Sequence, residues 1–96
     1  MPFAQQTPRA FNRVNIEVIR MGQLGVYGLF KEGVWVYVGK GDIRKRLLDH
    51  LNGDNPCIVG ARPTYWVDEI CVDPVMSSRE QQLILECNPS CNKKIG

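Results

Sequence analysis

No run of ~18 apolar residues, the length a membrane-spanning helix requires, occurs anywhere in this 96-residue chain. Gln5, Gln6 and Thr7 stand where a secretion signal would carry its apolar stretch, so the expected setting is the cytoplasm, with no membrane partner. Histidine is almost absent, with His50 alone, and the four cysteines (Cys57, Cys71, Cys87, Cys91) contain no Cys-x-x-Cys pair. The common zinc frameworks are thereby excluded, and small reduced thiols are expected, Cys71 in a strand and Cys87 on the inner side of a helix. Charge of one sign is also scarce, the formal net charge being +2. A nucleotide-binding phosphate loop is missing too. Gly39-Lys40-Gly41 lies one residue too far from Gly33 for that motif, and Gly41 replaces the hydroxyl that would hold magnesium.

What is present is an ordinary globular composition, 44% hydrophobic and 23% charged, in a length suited to one domain over residues 1–96. Residues 1–22 read as an N-terminal segment and residues 23–96 as the core. Residues 9–21 fit a helical stripe (Phe11, Val14, Val18, Met21) and also strand alternation (Val14, Ile16, Val18); a helix is preferred. Residues 25–31 and 34–38 are apolar, aromatic and β-branched about Glu32-Gly33, the pattern of a β-hairpin. A two-residue loop there would leave Tyr27 and Tyr37 on opposite faces. A three-residue loop with Gly33 in the left-handed position pairs Phe30 with Val34 and sets Tyr27 across from Tyr37, and this register is expected. Asp42 caps a helix over residues 43–51, with Ile43, Leu47, Leu48 and Leu51 inward. Residues 52–63, rich in Gly, Pro, Asn and Asp, read as a loop, and residues 64–72 as a third strand. Ser77 opens a second helix that Asn88-Pro89 stops.

Several side chains carry potential chemistry. Two phenols on one face beside a glycine-flanked lysine can simply pack, or can meet phosphate oxygens or water. Lys40, Arg44, Lys45 and Arg46 fall within seven residues, a density that suits phosphates and also an ordinary solvated helix face. Arg46 and His50 are one turn apart at the border of the apolar stripe. There Arg46 can snorkel or aim a bidentate guanidinium at a phosphate, and Arg44 is its rival. Ser77-x-x-Glu80 matches a capping box. Yet Glu80 shares a face with Leu83, Ile84 and Cys87, where a carboxylate needs a cation, and its hard oxygens suit magnesium or manganese.

Gly25-Val26-Tyr27, ten residues ahead of Tyr37-Val38-Gly39, resembles the paired tripeptides that name the GIY-YIG nucleases. The resemblance runs through residues 40–47, then Glu80-Gln81-Gln82-Leu83-Ile84, then Asn88 to Asn92, and covers roughly residues 23–96. Valine replaces isoleucine in both tripeptides. The resemblance implies an α/β (α+β) fold with a three-stranded antiparallel sheet flanked by helices. It implies a metal-dependent endonuclease that hydrolyses DNA with Mg2+ or Mn2+. Tyr27, Tyr37, Arg46, Glu80, His50 and Lys40 then match catalytic positions, and Glu80 holds the metal. Gly39, Lys40, Arg44 and Asn92 match substrate-binding positions. DNA is the expected partner, with substrate shape, a protein partner or a second copy supplying target choice. A non-catalytic nucleic-acid-binding module with the same fold is the alternative. The mechanism requires two phenols, a guanidinium and an acid to converge over one sheet surface.

Overall fold

In a computed structural model, which describes residues 2–92, strands β2 (Leu24–Lys31) and β3 (Val34–Asp42) form the hairpin on which the molecule is built. Its loop differs from the expected one. Lys31 pairs with Val34, leaving Glu32 and Gly33 as a two-residue turn with φ of 49° and 78°. Two successive positive φ values match the twist of the flanking strands. The tyrosines nevertheless share a face, because Phe30 pairs with Trp35 while Leu29 pairs with Tyr37. Val36 is the extra residue of a β-bulge, and one extra residue restores the side-chain parity that the shorter loop would have reversed. Tyr27 ends opposite Gly39 rather than opposite Tyr37.

The sheet has four strands in the order β1-β4-β2-β3, all antiparallel, with β4 at Tyr65–Ile70. The expected count of three missed β1 (Arg9–Ala10), which is too short to show any periodicity. Helix α1 (Arg13–Ile16) is likewise a single turn, in place of a helix over residues 9–21. Ile16 and Ile19 are buried, whereas Val14, Val18 and Met21 of the expected stripe are at least 75% exposed. The N-terminal segment also contributes to the core. Phe3, 2% exposed, stacks on Trp35 at 5.3 Å, and Gln6 donates to the Asp68 carbonyl and accepts from its amide.

Helices cover both faces of the sheet. On one face lie α2 (Ile43–Leu51) and α3 (Pro56–Ala61), packed with Tyr27, Leu29, Val36 and Trp66. On the other, α4 (Val75–Cys87) packs Met76 and Leu83 against Val26, Val38 and Val67. Asp42 caps α2 as expected, its side chain accepting from the Lys45 amide at 3.2 Å. Helix α3 corrects the loop reading of residues 52–63. Asn55 accepts from the Cys57 and Ile58 amides and Pro56 opens the first turn, so residues that punctuate a loop here begin a helix. Helix α4 starts at Val75, ahead of Ser77, and the Ser77 amide donates to Asp73 Oδ1 at 2.9 Å.

The cysteine reading is corrected for two residues of four. Cys57 and Cys91 form a disulfide with Cα atoms 5.6 Å apart, while Cys71 and Cys87 are free and half-buried. The expectation of reduced thiols therefore holds for Cys71 and Cys87 alone. Among the described residues no helix is long and apolar enough to cross a membrane.

Candidate active site

Gly39 leaves the space around which the site is assembled. A Cβ there would fall on the Tyr27 hydroxyl and within 2.8 Å of the Tyr37 ring, so the absent side chain lets the Tyr27 phenol lean across β3. The two tyrosine rings lie 6.3 Å apart, and His50 of α2 meets Tyr37 edge-on at 5.0 Å. The Tyr27 hydroxyl and His50 Nε2 are 2.7 Å apart, both residues being buried. At the other side of the ring, His50 Nδ1 lies 2.8 Å from Asp54 Oδ1, whose side chain is 36% exposed. Arg46, one turn before His50, passes its aliphatic chain beside Gly41 and leaves its guanidinium partly exposed, 3.8 Å from Asp49. Two of the tripeptide glycines are thus steric requirements, since a Cβ at Gly25 would strike the Glu69 carbonyl of β4.

Burial pushes the Tyr27 phenol well above its ordinary value and neighbouring Tyr37 adds to this, while the Arg46 charge opposes it. Burial also holds His50 below the ordinary imidazole range, with Asp54 pulling the other way. Near neutral pH the pair is therefore a protonated phenol against a neutral imidazole.

Glu80 is carried by α4. Helix α4 packs on the face of the sheet opposite α2, and Glu80 is beside Lys40 of β3. Its nearby charges are Lys40 and Asp73. Adjacent strand residues point to opposite faces. Accordingly Gly39 lies beside the phenols, while Lys40 reaches α4 and donates to Ser77 Oγ at 2.7 Å. Among the described residues the Glu80 carboxylate makes no hydrogen bond or ion pair, and Asp73 Oδ1 accepts from the Ser77 amide, the donor that a capping box would assign to the Glu80 carboxylate. Burial raises Glu80 above the ordinary carboxylate range, with Lys40 opposing. An accessible carboxylate of this kind fits magnesium, which keeps several waters and takes one or two carboxylates plus substrate phosphate oxygens. No cluster of three or more His, Cys, Asp or Glu that could cage a metal exists among the described residues.

The remaining expected residues divide. Arg44 lines a hollow with Met21, Gly22 and Asn52. The Asn92 amide is engaged with backbone, accepting from Val38 N and donating to Val38 O, each at 2.8 Å. Asp54 was missed by sequence reasoning. Its spacing of four from His50 was the available signal, but the helix ends at Leu51 and the following turn, in which Gly53 N meets His50 O and Asp54 N meets Asp49 O, brings it into place.

No protein-family model and no curated protein matches the chain. Solved structures do. The GIY-YIG N-terminal endonuclease domain of UvrC from Thermotoga maritima, bound to magnesium as its catalytic divalent cation, superposes with a TM-score of 0.71 at 24% identity. The match covers 84% of this chain and 94% of that one. Two point mutants of the same domain, each bound to its catalytic divalent cation, give 0.72 at 23% and 22% identity over 85% of this chain and 94% of theirs. A four-stranded antiparallel sheet with helices on both faces, superposing at these TM-scores, places this chain in the fold of the GIY-YIG endonuclease domain.

Proposed function

We propose that the chain is a metal-dependent endonuclease that hydrolyses phosphodiester bonds of DNA at the end of β3. The observation that carries this is the Tyr27 hydroxyl, held by His50 above a glycine and next to the Arg46 guanidinium, an arrangement that packing alone does not require. A phosphate seated against Gly39 would have Arg46 on one side, with five N–H donors in a fixed fork to stabilise charge growing on its oxygens. Tyr27 and Tyr37 would orient the attacking water there, Tyr27 through a hydroxyl that stays protonated near neutral pH. Glu80 would hold magnesium or manganese, and Lys40 beside it would bind a phosphate oxygen. When bound, the cation supplies Lewis-acid stabilisation of the phosphate and leaving oxygen. Arg44 would extend the positive track along DNA. Asn92 fixes the outer edge of β3 between Tyr37 and Gly39, so its part in substrate binding is indirect.

The test is nicking of supercoiled and branched DNA with magnesium or with chelator. Nicking is expected only with the cation, and Arg46→Ala is expected to lower the rate by about 10²–10³-fold. Equal DNA binding with cation or chelator, and no nicking under either condition, would leave the non-catalytic binding module instead.

A further inference from the structure

We propose that Asp54 is a positioning residue, fixing His50 in the tautomer that accepts the Tyr27 proton. An ionised carboxylate has only acceptors, so His50 must present Nδ1–H to Asp54 across their 2.8 Å contact. A neutral imidazole then has its lone pair at Nε2, and the 2.7 Å contact there can form only if the Tyr27 O–H donates. The Tyr27 oxygen keeps its own lone pairs for water. Carboxylate, imidazole and phenol form a relay in chain order reversed, Asp54 to His50 to Tyr27. The charged and titratable groups around the imidazole are Tyr27 and Tyr37 from the hairpin, Arg46 and Asp49 from α2, and Asp54 from the turn beyond it.

The consequence for catalysis rests on the endonuclease reading. Water gives one proton to the Tyr27 oxygen as the phenolic proton passes to His50 Nε2. The water oxygen forms the new bond to phosphorus, and the bond from phosphorus to the leaving sugar oxygen breaks with its electron pair on that oxygen. The leaving oxygen takes a proton from solvent, and His50, an imidazolium paired with Asp54 during the step, returns its proton to solvent. A buried phenol of raised pKa thus acts as a base without ever becoming a free phenolate.

His50 is the single histidine of the chain, so nitrogen NMR of the imidazole reads it without ambiguity. In the unaltered protein near neutral pH, Nδ1 is expected to be protonated and Nε2 not; the opposite pattern overturns the proposal before any variant is made. Asp54→Ala is expected to mix the tautomers and to cut the nicking kcat by about 10²–10⁴-fold, with KM for DNA within about threefold. Because the Asp54 charge raises the His50 pKa, its loss should move the acid limb of the rate profile to lower pH. Asp54→Glu should restore part of both. A variant that loses thermal stability yet keeps tautomer, kcat and acid limb would reduce Asp54 to a structural residue and overturn the proposal. The expected tautomer in a protein that nicks no DNA would sink the endonuclease reading while upholding the assignment.

Discussion

At the scale of single residues, the space over Gly39 sets the site more tightly than any polar contact. Its Cα is where the Tyr27 hydroxyl rests, and even a methyl group must displace that phenol or the Tyr37 ring. Gly39→Ala should therefore cost about 1–3 kcal/mol in chemical denaturation, as overpacking does. It should also slow nicking by at least about 10-fold, because a small misplacement of reacting groups is amplified in rate. Glu80 predicts the opposite combination. Its carboxylate is raised by burial and lacks a partner among the described residues, so the ionised form disfavours the fold at neutral pH. Glu80→Gln should leave the denaturation midpoint at pH 7 equal or higher while nicking falls by about 10²–10³-fold. A capping glutamate would behave in reverse, losing stability and keeping activity. From the sequence, strand parity set Tyr27 and Tyr37 on one face and a helical turn set Arg46 beside His50, while the constellation expected there was the two phenols, Arg46 and Glu80, without the contact of His50 with Tyr27. Asp54 was not legible, since only a turn beyond the end of α2 returns it to His50.

Secondary structure elements bring these residues into register, and the outer edge of β3 is the element under most constraint. It is covered by the stretch after α4: Ser90 N meets Trp35 O, Cys91 N meets Val36 O, and the Asn92 amide brackets Val38. The Cys57–Cys91 bond joins that stretch to α3, which follows Asp54 directly. One covalent link thus anchors both the strand that carries Tyr37 and the turn that carries Asp54. Cys57→Ser, or reductant added to the unaltered protein, should lower stability by about 2–4 kcal/mol in urea titrations, the effect expected when a loop of this size is released. Cys71→Ser should leave the response to reductant unchanged. The hairpin was readable from alternation and α2 from its Asp42 cap; α4 was expected too, but its start was misplaced because Ser77 lies inside the helix rather than capping it. The bulge at Val36 was not readable, because no residue type demands it and its parity effect imitates a longer loop. Helix α3 escaped because proline and glycine in a six-residue element read as breakers, although Asn55-Pro56 is a sound helix start.

For the molecule as a whole, the sheet divides two cores and the N-terminal segment closes the second of them. Phe3 covers Gly28 and Trp35, and Arg79 of α4 ties this segment to the sheet by donating to the Pro2 carbonyl and to both Glu69 oxygens at 2.9 Å. Residues 1–22 were set outside the core region in the sequence, where residues 9–21 fit both a helical and a strand period; the burial of Phe3, Ile16 and Ile19 is decided by distant partners. Glu69 is held below the ordinary carboxylate range, first by Arg79 and also by the Ala4 amide, while burial opposes. The unfolded chain therefore binds a proton at higher pH than the native one does, and Glu69 stabilises the fold fully above its unfolded value of about 4.3, losing this as pH falls through the lower native value. His50 acts in the same direction at a higher pH. Burial depresses its native pKa below 6.5, so stability declines as pH falls from 6.5 towards that native value. Urea midpoints measured from pH 8 to pH 3 should accordingly drop in two stages. Glu69→Gln should flatten the lower stage alone and His50→Gln the upper alone, since the two groups lie on opposite faces of the sheet and share no partner. A single acid transition that both substitutions abolish together would mean that the two cores do not titrate independently, and that the sheet does not separate them as the packing implies.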